Sequence, residues 1–162
     1  MLKKRTIQIS SSLTELYKIE EFVEQISDVY NINNNYYSTI LISLDEAVRN
    51  AIEHGNNFDK QKKVEIAFTT AKGELIFSVS DQGNGFDASS IVDPTDPLIN
   101  QDLDAGKGLF LMEQLSDNMT FSSLGNTVSL HFKVSSINKE LSVLRSTALQ
   151  SYFQETKQTI SV

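Results

Sequence analysis

The sequence predicts a single α/β domain, and three observations lead there. Apolar residues recur at helical spacing over residues 13–26, they alternate with polar ones over 63–70 and 74–80, and residues 87–105 between strand and helix segments carry no sustained period. A chain of 162 residues fits one domain with a core large enough to stand without a metal or a disulfide.

Taken in order, residues 5–10 read as a short strand. Ser11 or Ser12 is then placed to cap a helix whose apolar positions are Leu13, Leu16, Ile19, Phe22, Val23 and Ile26. Asn31 to Asn35 interrupt that pattern. A second helix is expected from Tyr36 to about His54, stopped by Gly55 and the turn-forming Asn56-Asn57. Residues 63–70 and 74–80 form two strands around Ala71-Lys72-Gly73, a hairpin signal. The long segment 87–105 holds both prolines and reads as a loop, and loops of such length are often lids over a site. Further on, a helix is expected at about 107–117 and strands at about 119–123 and 127–134, joined by a turn at Gly125-Asn126. After Ser135 the helical spacing is partial (Leu141, Leu144, Ala148), which fits a docking helix or a partly disordered tail.

Composition narrows the function classes. The absence of cysteine excludes disulfides and thiolate metal sites and agrees with a reducing cytoplasm. Twenty-one acidic residues against 14 basic ones speak against a nucleic-acid binder, whose phosphate contacts need clustered Lys and Arg. Lys60, Lys62 and Lys63 are the one local basic cluster and read as a solvated turn. No apolar run is long enough for a signal peptide or a membrane span, so a cytoplasmic protein without a membrane partner is expected.

Three separated segments carry the chemistry. On the second helix, Glu46, Asn50 and Glu53 lie within roughly 60° of one another, while Leu44, Val48 and Ala51 point to the opposite side. A solvated helix side and a ligand face both fit that pattern. An amide oxygen is a reasonable hard ligand for magnesium, and Glu46 can accept a proton from an attacking hydroxyl. Asp81-Gln82-Gly83-Asn84-Gly85 follows a strand; its glycines allow close approach of a flat ring, and Asp81 can accept a hydrogen bond from the amine of adenine. The same five residues also make an ordinary turn. Gly106-Lys107-Gly108 at a helix start can hold phosphates through backbone N–H groups and one ammonium. Neither the phosphate loop of the common NTPases nor the dinucleotide fingerprint is present.

In this order the segments resemble the GHKL ATPase superfamily, and within it the small anti-sigma serine/threonine kinases of bacterial partner-switching systems. Residues 46–55 are similar to the Asn box, 81–87 to the first glycine box and 106–112 to the second, while Gly125-Asn126-Thr127 resembles the closing Gly-x-Thr element. The resemblance covers about residues 6–134. It implies a two-layer α/β sandwich, with a mixed, mostly antiparallel sheet covered on one face by helices. Residues 1–134 would form the histidine-kinase-like ATP-binding domain and residues 135–162 a C-terminal tail.

For the site, the resemblance implies that Asn50 coordinates the magnesium bridging the phosphates of ATP and that Asp81 recognises adenine with help from Thr127. Glu46 would be the general base, residues 87–105 the ATP lid, and Gly106, Lys107 and Gly108 would face the phosphates, with Gly83 and Gly85 at the base. Many relatives carry Arg where Lys107 stands; Lys keeps the charge and loses the planar fork. His54, at the end of the Asn-box helix, is read as structural or near the phosphates, and His131 as a strand side chain. The implied function is ATP-dependent phosphorylation of Ser or Thr on an anti-sigma-factor antagonist protein, with a sigma factor as a second partner and a homodimer compatible with it. Two alternatives stand beside it: a nucleotide-dependent protein-binding module that moves no phosphate, and the catalytic domain of a histidine kinase or larger ATPase. The last is disfavoured because no dimerisation helix pair or transducer domain is recognised in the sequence.

Overall fold

Alternating apolar residues become a five-stranded sheet in the computed structural model, which describes residues 4–85, 104–133 and 139–160. The strands are β1 (Arg5–Ser10), β2 (Lys63–Ala71), β3 (Glu74–Ser80), β4 (Asn118–Phe121) and β5 (Thr127–Lys133), in the order β1-β2-β3-β5-β4. Each neighbouring pair is antiparallel, so among the described residues the sheet has no parallel member. Lys72 and Gly73, with φ of 49° and 79°, make the two-residue turn between β2 and β3, a turn that needs positive φ at both positions and matches the twist of the strands.

Among the described residues four α-helices accompany the sheet: α1 (Tyr17–Tyr30), α2 (Asn34–Asn50), α3 (Asp104–Leu115) and α4 (Lys139–Ile160). The period-2 pattern sends Ile9, Ile66, Phe68, Phe77, Val79, Leu130 and Phe132 into one core, which they share with Ile19, Val23 and Ile26 of α1 and Ile40, Leu44 and Val48 of α2. Rings of Phe68, Phe77 and Phe132 on adjacent strands run through it, with centroids 4.9 and 6.1 Å apart. Each such side chain contributes about 1.5–3 kcal/mol by burial. The alternate strand positions are polar: Ser78 bonds Ser129 at 2.7 Å, Ser80 bonds Thr127 at 2.9 Å, and Glu74 meets His131 at 3.1 Å. Two layers follow from this division of the strand faces.

Several boundaries differ from the sequence reading for identifiable reasons. Leu13–Glu15 form a 3-10 turn, and α1 starts only at Tyr17 with no side-chain cap. Ser12 bonds Thr14, whereas Ser11 is buried and donates to the Lys62 carbonyl, so neither serine caps α1. Asn33 is the real cap of α2, accepting from the Tyr36 N–H at 3.0 Å, which moves the helix start to Asn34. At its other end α2 runs into a π-helical turn, Ala51–Gly55, closed by an Asn56 N–H to Ala51 carbonyl bond of 2.8 Å. The helix expected from about 107 begins at Asp104, and the tail contains α4. Of the expected lid 87–105, residues 87–103 lie outside the described residues.

Candidate functional site

The end of β3 and the end of α2 are held together by backbone and amide contacts. Asn56, 1% exposed, donates from Nδ2 to Ser11 Oγ at 2.8 Å and to the Lys63 carbonyl at 3.1 Å, and its Oδ1 accepts from the Gln82 N–H at 2.8 Å. The Asp81 N–H donates to the Asn126 carbonyl, and Asp81 Oδ1 accepts from the Gly83 N–H at 2.8 Å. Asp81 is thereby held through both its backbone and its carboxylate. Burial pushes its carboxyl above the ordinary range, opposed by the Gly83 N–H and the Lys62 charge.

Glycines make this approach possible, though for a different reason than ring access at Gly83. A Cβ on Gly83 would overlap the Gly55 carbonyl, and one on Gly55 would overlap the Asp81 carboxylate. At Gly85, φ is +76° and a Cβ would overlap the Leu124 carbonyl. These glycines let three chain segments meet, and only Gly85 and Gly55 of the three line the cavity between them. That cavity holds about 240 Å³. Its walls are mostly apolar, with Ala47, Ala51, Val79, Leu109 and Met112 among them, while Asp81, Asn50 and Thr127 supply polar groups. A mostly apolar cavity with one carboxylate in its lining suits a purine with an exocyclic amine. His54 lines the same cavity with its side chain 58% exposed.

Next to this cavity, α3 crosses the Glu46 side of α2. A Cβ on Gly108 would stand 2.9 Å from Glu46 Oε2 and 3.5 Å from Asn50 Nδ2, so glycine here brings the α3 backbone against the carboxylate and the amide. Because α3 begins at Asp104, the helix N–H groups lacking a partner within the helix are those up to about Lys107. Gly106 and Lys107 therefore fall in or beside that first turn, and Gly108 just past it. Glu53, expected on the same face as Glu46 and Asn50, sits in the π turn and lines neither cavity described here.

A second cavity of about 470 Å³ lies between α3 and α4, lined by Glu46, Lys107 and Gly108 on one side and Ser151, Tyr152 and Glu155 on the other. Tyr152 donates to Glu46 Oε1 at 3.4 Å. Burial, then the neighbouring Asp45 carboxylate, holds the Glu46 carboxyl above its ordinary range; burial and Glu46 likewise raise the Tyr152 phenol. A carboxylate that prefers to hold a proton is suited to taking one from a hydroxyl.

A family model described as the histidine kinase-like ATPase domain matches residues 9–132. The chain belongs to that family. Among curated proteins it is similar to the serine-protein kinase RsbW of Bacillus licheniformis, 34% identical over 95 residues, and to that of Bacillus velezensis, 32% identical over 95 residues. In both cases the match covers 55% of this chain and 59% of the relative, so the chain spans less than two thirds of the proteins it resembles. A crystal structure of the RsbU and RsbW domains of a Mycobacterium tuberculosis protein shares the fold, with a TM-score of 0.57 at 18% identity, over 81% of this chain and 32% of that one.

In this histidine kinase-like ATPase domain the motif residues divide between the two cavities. Asn50, Asp81, Gly85 and Thr127 line the smaller, Glu46 and Lys107 the larger, and Gly108 sits against Glu46 and Asn50 where the two meet. The Thr127 hydroxyl shares its hydrogen bond with Ser80. Sequence reasoning missed Asn56, which it treated as a turn former, and Tyr152. A buried amide bonding residues 45 positions away has no local signature, and Tyr152 lies 106 positions from Glu46. Among the described residues no group of three or more His, Cys, Asp or Glu is placed to hold a metal ion. The Asn50 amide oxygen fits magnesium held mainly by phosphate oxygens and water, the usual manner for that ion.

Proposed function

We propose that this chain binds ATP with Mg²⁺ and transfers the terminal phosphoryl group to Ser or Thr of an anti-sigma-factor antagonist protein, coupled to reversible sequestration of a sigma factor. The observation that carries the reading is Gly108, which brings a raised-pKa carboxylate and an amide to the border of a purine-sized cavity with Asp81 at its base. Support comes also from the family and from relatives named as serine-protein kinases.

Each residue has a distinct part. Asp81 accepts from the adenine amine, which guanine does not offer at that position. Asn50 orients the magnesium, the first turn of α3 with Lys107 faces the phosphates, and Glu46 takes the proton of the acceptor hydroxyl. When bound, ATP supplies the phosphoryl group and the metal neutralises its charge, leaving positioning and one base to the protein. One observation favours the reading without phosphoryl transfer: the Glu46 carboxylate already holds the Tyr152 hydroxyl.

Two variants decide between these readings. Glu46→Gln should keep ATP binding and slow a single turnover onto the antagonist by about 10²–10⁴-fold, while Asn50→Ala should impair both. Asp81→Asn should weaken ATP by roughly 1.5–3 kcal/mol in calorimetry. If the unaltered protein binds antagonist and ATP together yet leaves no phosphoserine or phosphothreonine, the module without phosphoryl transfer takes the kinase's place.

A further inference from the structure

The α3–α4 cleft sets the Glu46 carboxylate opposite a hydroxyl. Its inner wall is Glu46 and the α3 residues Lys107, Gly108, Phe110, Leu111 and Gln114. The outer wall is a single face of α4, since Ala148, Ser151, Tyr152 and Glu155 recur at intervals of three and four. From that face the Tyr152 hydroxyl reaches Glu46 Oε1, the atom pair that a Ser or Thr acceptor would form with a general base.

The helix is held over the cleft from its other half. Arg145 Nη2 donates to Asp117 Oδ1 at 2.6 Å, with the two side chains only 10% and 9% exposed. Asp117 Oδ2 accepts from the Lys133 N–H, so this anchor is tied to the end of β5. This well-buried ion pair anchors α4, and two turns further along the helix Tyr152 meets Glu46.

We propose that the α3–α4 cleft is the surface that receives the acceptor segment of the protein substrate, and that α4 occupies it in cis, with the Tyr152 hydroxyl in the acceptor's place. This rests on the acceptor approaching Glu46, as read above. The helix is then a resident competitor. A partner binding only the open form meets an affinity reduced by the fraction of molecules that are open, so α4 sets a threshold for the antagonist.

The test uses the full chain with Arg145→Ala, which releases the anchor, and Tyr152→Ala, which empties the acceptor position. Exposure of Glu46 is read by carbodiimide labelling and peptide mass spectrometry. Antagonist affinity is read by calorimetry with a purified anti-sigma-factor antagonist protein and a non-hydrolysable ATP analogue. Both variants should label Glu46 several-fold faster. If the seated form makes up about nine-tenths of the molecules, both should bind the antagonist about tenfold tighter. Unchanged labelling in both variants would show that α4 does not cover Glu46 and would overturn the inference. Faster labelling with unchanged or weaker antagonist binding would overturn it too, because the helix would then not compete. Phosphate on Tyr152 after incubation with Mg·ATP also counts against it, making the helix a substrate. Should affinities shift while no variant moves phosphate to the antagonist, the kinase reading falls and the competition stands.

Discussion

The two cavities beside α2 are built in opposite ways. Around Asp81 the walls meet through backbone: Gly83 lies against the Gly55 carbonyl, Gly85 against the Leu124 carbonyl, and Asn56 ties three segments through one amide. Around Glu46 the outer wall is a helix whose contacts include the Arg145–Asp117 ion pair and the Tyr152 hydroxyl on Glu46, both made by side-chain tips. Backbone contacts leave little room for adjustment, because no rotamer can absorb an added atom. Tips of long side chains can part and re-form. The first region is suited to recognising one fixed ring, the second to exchanging one occupant for another.

The sharpest way to break this contrast is to add one methyl group to each region. Gly85→Ala combines strain at positive φ with backbone overlap, each worth about 1–3 kcal/mol, and should lower unfolding stability by about 2–4 kcal/mol and abolish measurable ATP binding. Ser151→Thr in the larger cleft should move stability by less than about 0.5 kcal/mol. Equal effects in urea unfolding would mean the two regions are alike. Next in size is Asn56→Ala, which removes the acceptor of the Gln82 N–H and the partner of Ser11; a loss of about 1–3 kcal/mol is expected, accompanied by weaker ATP binding. Stability lost with ATP affinity untouched would separate Asn56 from the cavity.

The smallest effect concerns pH. On the proposed reading Asp81 gives the adenine amine a charge-assisted bond only when ionised, and burial raises its pKa against the pull of the Gly83 N–H and Lys62. ATP affinity should thus be full above the raised pKa and fall as pH drops through it, beginning higher than for an exposed aspartate. The fall should approach the loss expected for Asp81→Asn, about tenfold or more, since both leave a neutral acceptor. Asp81→Asn should bind weakly with no such fall. A variant that reproduces the original titration would assign it to another group.

How far the sequence foretold this arrangement depended on the range of the forces involved. Strand alternation, the Lys72-Gly73 turn and the buried positions Ile19, Phe22, Val23 and Ile26 of α1 are local, and they were legible. The start of α3 was not, because Gly106 and Gly108 weaken a helix by propensity while the close approach of α3 to Glu46 requires a glycine at 108. Ser11 looked like a cap and is instead a buried partner of Asn56. The motif segments were visible in the sequence, but their division between two cavities was not, since it depends on where α3 crosses α2 and on a helix more than a hundred positions away.

The π turn at Ala51–Gly55 makes chain length itself part of the design. A turn closed by an i to i+5 bond carries one more residue than a regular turn, and each helical residue advances the direction of the chain by about 100°. Losing one of the four residues from Ala51 to His54 would restore ordinary helical winding and swing Gly55 away from Asp81, and Asn56 away from Ser11 and Gln82. The exposed His54 can be replaced at little cost, whereas Gly55 admits no side chain beside Asp81, and a single-codon deletion would shift Gly55 and Asn56 together. The stretch therefore behaves as a ruler, its residue count fixed by geometry as firmly as the glycine at its end.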